Sequence, residues 1–108
     1  MKPEDAISKI DDISSIVAVE IPETLELNGI KYNLRADLYS NNPGTLTKYT
    51  RLYEELRAEI MKMDEVPEEL VKKAIVLRRV VIFLKDYKKE SDIDEKKRWL
   101  EYARRVKP

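Results

Sequence analysis

Cysteine and histidine are both missing from this chain of 108 residues. Without cysteine there is no disulfide framework and no thiolate metal site. Without histidine the commonest general base and the commonest zinc ligand are gone as well. Gly29 and Gly44 are the only glycines, so a glycine-rich loop that cradles phosphate is excluded. No stretch reaches the ~18 uninterrupted apolar residues of a membrane span. Met1-Lys2-Pro3-Glu4-Asp5 lacks the charged-then-apolar start of a signal peptide. The expectation is a soluble cytoplasmic protein, a single domain over residues 1–108, with no membrane partner.

Carboxylate pairs are the remaining route to acid–base chemistry. Asp11 with Asp12 and Glu54 with Glu55 are adjacent in sequence. Adjacent helical residues point about 100° apart, so neither pair converges on one substrate atom. Glu68, Glu69, Asp92 and Asp94 stand where helices are expected to start, and the helix dipole accounts for acids there. The chain therefore reads as a non-enzyme, with no catalytic, metal-ligating or cofactor-binding residue singled out.

Charge, by contrast, is plentiful: Asp, Glu, Lys and Arg make up 39% of the residues, 21 of each sign. High Lys and Glu content without Gln or Cys is a thermophile tendency. The two signs are unevenly placed. Residues 1–66 carry 8 Lys or Arg against 13 Asp or Glu, a net of −5. Residues 67–108 carry 13 against 8, a net of +5. An acidic front and a basic back can neutralise each other within the fold, pair head to tail between subunits, or leave a basic face for an anionic partner.

Hydrophobic periodicity places the elements. Pro67–Lys88 is the most apolar stretch, with Leu70, Ala74, Leu77, Val81 and Leu84 on one helical stripe. Val71, Ile75, Val76, Val80, Ile82, Phe83 and Tyr87 widen that stripe far beyond the apolar arc of about 100° that a surface helix needs. This helix is expected to be central to the fold. Pro3–Val17 reads as a first helix with Ile7, Ile10, Ile13 and Val17 inward, its end at Val17-Ala18-Val19 being more strand-like. Thr24–Leu27 and Ile30–Leu34 flank Asn28-Gly29, the strongest short hairpin cue. Pairing Leu27 with Ile30 sets Leu25 against Tyr32 and Glu26 against Lys31, so Leu25, Leu27, Ile30, Tyr32 and Leu34 share one face. Ala36–Ser40 is a short helical turn, and Asn41-Asn42-Pro43-Gly44 a loop. Thr45–Met63, capped by Thr45 or Thr47, is amphipathic on Tyr49, Leu52, Tyr53, Leu56, Ile60 and Met63. A last helix over 92–106 is expected to start at Ser91 or Asp92, which have capping-box spacing to Asp94 and Glu95. The fold class expected is α+β, mainly helical: an N-terminal helix, one β-hairpin, then a three-helix bundle.

From Val19 to Leu34 the sequence runs Val-Glu-Ile-Pro-Glu-Thr-Leu-Glu-Leu-Asn-Gly-Ile-Lys-Tyr-Asn-Leu. This segment resembles the opening of a small uncharacterised archaeal family: a helix, a V-E-I-P turn, an acidic strand, an Asn-Gly hairpin, then charged helices. The resemblance implies an archaeal origin. It transfers no functional residue, because the family carries no established activity.

Two functions remain. A helix apolar nearly all round, in so short a chain, points to an oligomer or a protein partner, through residues 67–88 or 92–106. The candidate interface is Arg78, Arg79, Ile82, Phe83, Trp99 and Tyr102, since Arg and aromatic residues are enriched at interfaces. The alternative is a nucleic-acid-binding accessory protein using Lys72, Lys73, Lys96, Lys97, Arg104 and Arg105. Its pI near 6.4 counts against that, being well below the ~9 of typical nucleic-acid domains.

Overall fold

The structure is a computed structural model that describes the backbone of residues 1–16, 19–40 and 42–105, and side chains within those ranges as far as Asp86. In chain order the elements are α1 (Pro3–Ser14), β1 (Thr24–Leu27), β2 (Ile30–Asn33), α2 (Leu34–Ser40), α3 (Thr45–Lys62) and α4 (Glu68–Arg105). The class is α+β and mainly helical, with an N-terminal helix and one antiparallel hairpin ahead of the remaining helices.

Pro3 opens α1, where its missing amide costs nothing, and Glu4 and Asp5 follow at the positive end of the dipole. The helix ends at Ser14, so residue 17 lies outside it and Val17 and Ala18 outside the described residues. Its inward stripe is Pro3, Ala6, Ile10 and Ser14, with Ile7 and Ile13 only half-buried. The stripe expected from Ile7, Ile10 and Ile13 is thus rotated about Ile10.

Asn28 and Gly29 have φ of 51° and 78°, and the register pairs Leu27 with Ile30, Glu26 with Lys31 and Leu25 with Tyr32. Those left-handed conformations match the twist of a two-residue hairpin. Leu25 and Leu27 are buried, but Ile30, expected on the same covered face, is 55% exposed. Strand alternation assigns a side chain to a face; it does not say how far the opposing helix reaches along it. α3 is preceded by Gly44 in the N-cap position with no side-chain cap, so Thr45 is its first residue and neither Thr45 nor Thr47 caps it.

α4 is the organising element. Val71, Ala74, Ile75, Leu77, Val80, Val81 and Leu84 are buried, the wide apolar arc that the sequence indicates. α3 packs on it through Tyr49, Tyr53, Leu56 and Ile60, and α1 packs on both. The amide of Val66 donates to the carbonyl of Met1 at 2.8 Å, so α1 starts beside the α3–α4 connector and runs parallel to α4, while α3 runs antiparallel.

Two further boundaries differ from the sequence reading: β2 ends at Asn33 and α2 starts at Leu34, and the last two expected helices are one. No second helix starts at Ser91 or Asp92: α4 is a single helix of 38 residues. Between Pro67 and Pro108 there is no proline or glycine to stop it. Ser and Asp favour caps but lose only about 0.5 kcal/mol inside a helix. Asp92 with Lys96, Asp94 with Arg98 and Glu101 with Arg105 also stand at the supporting i, i+4 spacing. At 1.5 Å per residue α4 is about 57 Å long. The radius of gyration is accordingly 17.8 Å, against about 13 Å for a compact chain of this size, and the long dimension is 68 Å.

Candidate functional site

Arg78 and Arg79 are half-buried on α4 and both reach α1. Arg78 Nε is 3.4 Å from Asp11 Oδ1, and its guanidinium sits 5.5 Å from the centre of the Tyr53 ring. The distance is close enough for charge attraction, yet Nε finds no hydrogen-bond acceptor among the described residues. A cation on an aromatic face adds roughly 0.5–2 kcal/mol. Arg79 donates from a terminal nitrogen to the carbonyl of Ser14 at 3.4 Å. A cation is stabilising there, at the negative end of the α1 dipole. Both arginines expected at an interface therefore have work within the chain.

Ile82 is half-buried and Phe83 is 43% exposed. The apolar excess that the sequence assigns to residues 67–88 is taken up by α1 and α3 as far as it is described, with Phe83 the one large exposed exception between Glu68 and Asp86. Trp99 and Tyr102 belong to the same helix. Sixteen residues separate Phe83 from Trp99, about 24 Å along the axis, so the six candidate residues do not form one patch. The candidate anion-binding set divides similarly. Lys72 and Lys73 stand near the start of α4, Lys96 and Lys97 about 36 Å further on, and Arg104 and Arg105 beyond them.

A groove of about 150 Å³ lies between the hairpin and α3. Leu27, Leu52 and Leu56 are its apolar base, Ile30 and Tyr32 stand on the hairpin wall, and Glu55 and Glu59 on the helix wall. The two glutamates are exposed and one turn apart. Sequence reading places them on the polar side of an amphipathic helix; their relation to the hairpin is a product of tertiary packing.

A third grouping is polar. Asp37 on α2 accepts hydrogen bonds from the Tyr49 hydroxyl and from Lys48 Nζ, the latter at 3.1 Å. Lys48 Nζ is also 5.6 Å and 5.3 Å from the ring centres of Tyr32 and Tyr49, which meet edge to face at 6.5 Å. The Tyr49 hydrogen bond, helped by Lys48 and opposed by burial, holds the Asp37 carboxyl below its ordinary range. Burial first, then Asp37, pushes the Tyr49 hydroxyl well above its usual pKa. The arrangement keeps charge paired and protons in place. It joins α2, β2 and α3 and opens on no reacting group, so its role is to fix the hairpin side of the domain.

No described helix is long and apolar enough to cross a membrane. Comparison with protein-family models, with curated proteins and with solved structures found no significant match.

Proposed function

We propose that this protein is a non-enzymatic interaction module that self-associates through the part of α4 beyond the bundle. The supporting observation is the mismatch in helix length. α3, with 18 residues, runs antiparallel to α4, with 38, across a five-residue connector. Its length is used up beside roughly Glu68–Lys85, and about 30 Å of α4 continues past that point. By helical periodicity Lys97, Arg98, Arg104 and Arg105 fall within an arc of about 120° that also holds Asp94 and Glu101, while Trp99, Ala103 and Leu100 fall opposite with Lys96 among them. A helix divided in that way suits a protein partner more than isolation in water. Sedimentation equilibrium over a hundredfold range of protein concentration tests the reading: a rising average mass supports it, and a constant monomer mass refutes it.

The same projection favours a second reading, binding of nucleic acid through Lys96, Lys97, Arg104 and Arg105. It carries these residues clear of the acidic first half of the chain, which would otherwise neutralise them. Salt-sensitive retention on a phosphate-rich resin, lost in Lys96→Glu/Lys97→Glu, would support it; absence of retention would remove it.

A further inference from the structure

The groove between the hairpin and α3 combines an apolar base with negative charge. Glu55 and Glu59 are four residues apart on one helix, about 6 Å from each other, and no Lys or Arg lines the groove among the described residues. Ile30, at 55% exposure, leaves apolar surface open beside them. A volume of about 150 Å³ takes a benzene-sized group. The fitting occupant brings an apolar side chain together with positive charge.

One stretch of this chain has that composition. Residues 96–108 hold six Lys or Arg and a single acid, Glu101, a net of +5, together with Trp99, Leu100 and Tyr102. Residues 96–105 do not reach their own groove. Lys96 lies about 17 Å past the point where α3 ends beside α4, while Leu52–Glu59 lie about 10–20 Å back in the opposite direction. α4 continues as one helix to Arg105 in a molecule 68 Å long, so its end leads away from that groove.

We propose that the groove of one copy receives the basic end of α4, residues 96–105, from a second copy. Glu55 and Glu59 meet its lysines and arginines, and one of its apolar side chains fills the space beside Ile30. Each copy carries one groove and one basic helix end, so two chains close the exchange reciprocally as a two-fold dimer. The inference rests on the self-association reading and names its surface.

Sedimentation velocity on the full chain tests it with Glu55→Lys/Glu59→Lys, Lys96→Glu/Lys97→Glu and Ile30→Ser. Glu55, Glu59 and Ile30 are exposed, so these variants are expected to keep the wild-type circular dichroism spectrum. Each charge reversal is expected to weaken dimerisation by about tenfold or more, and Ile30→Ser to weaken it without a change in charge. An equimolar mixture of the two charge-reversed chains restores the dimer, because one of its two interfaces is then wild-type and the other sets the reversed groove against the two reversed positions of the helix end. A wild-type dimer indifferent to Glu55→Lys/Glu59→Lys overturns the groove while leaving self-association standing. So does a mixture that stays apart. A wild-type chain that is monomeric throughout overturns both.

Discussion

Tyr49, buried on α3, donates its phenolic hydrogen bond to Asp37 Oδ2 on α2. One turn along the same helix Tyr53 is also buried, yet its hydroxyl has no partner among the described residues. The two tyrosines thus occupy the same stripe with opposite polar accounts. A buried hydroxyl that loses a charged acceptor forfeits a favourable bond; one that never had a partner loses only its desolvation penalty on removal. Tyr49→Phe is expected to cost about 1–2 kcal/mol, and Tyr53→Phe to lie within about 0.5 kcal/mol of wild type or above it. Urea denaturation of the two variants side by side measures the difference. Equal losses would show that the Asp37 bond contributes nothing.

The same pair makes stability depend on pH at both extremes. Asp37 titrates lower in the folded chain than in the unfolded one, chiefly because Tyr49 donates to its charged form. Its contribution is present above the ordinary aspartate value of about 4 and disappears as pH falls through the lowered folded value. Asp37→Asn should be less stable than wild type at pH 7, with the gap closing under acid. Tyr49 behaves in mirror image, since burial raises its folded pKa. Its contribution is complete below the free tyrosine value of about 10 and is lost as pH climbs beyond it. Tyr49→Phe should therefore flatten the alkaline decline, while Asp37→Asn flattens the acid one. Denaturation curves at acid, neutral and alkaline pH check both signs.

Local chemistry made some of this legible from residues alone. Asn28-Gly29 set the hairpin register because few residue pairs accept two successive left-handed conformations. The core stripes of α3 and α4 followed from period, since burial of one face is what period records. What was hidden depended on distance. Nothing near Asp37 announces Lys48 and Tyr49, which are 11 and 12 residues away and reach it only when α2 meets α3. The single hint was a tyrosine in a core stripe, whose hydroxyl needs a partner somewhere. Likewise the Arg78–Arg79 pair signalled a need for acceptors but not that α1 would supply Asp11 and the Ser14 carbonyl. Glu55 and Glu59 have the spacing of ordinary solvated charge, and only the fold brings the hairpin beside them.

The absence of a break in α4 can be tested by the sign of one substitution. Ser91 and Asp92 have the spacing of a capping box, and in that role replacing both by alanine would cost about 1 kcal/mol or more and shorten the final helix. In the interior of α4 they bond no helix start, and alanine is the better helix former by about 0.5 kcal/mol at each position. The lost pairing of Asp92 with Lys96 returns only about 0.3 kcal/mol of that. Ser91→Ala/Asp92→Ala is therefore expected to raise the ellipticity at 222 nm and leave the bundle's unfolding midpoint unchanged or slightly higher. Reduced helicity would mean that the chain turns at residue 91, and the basic end of α4 would then be free to fold back on its own hairpin.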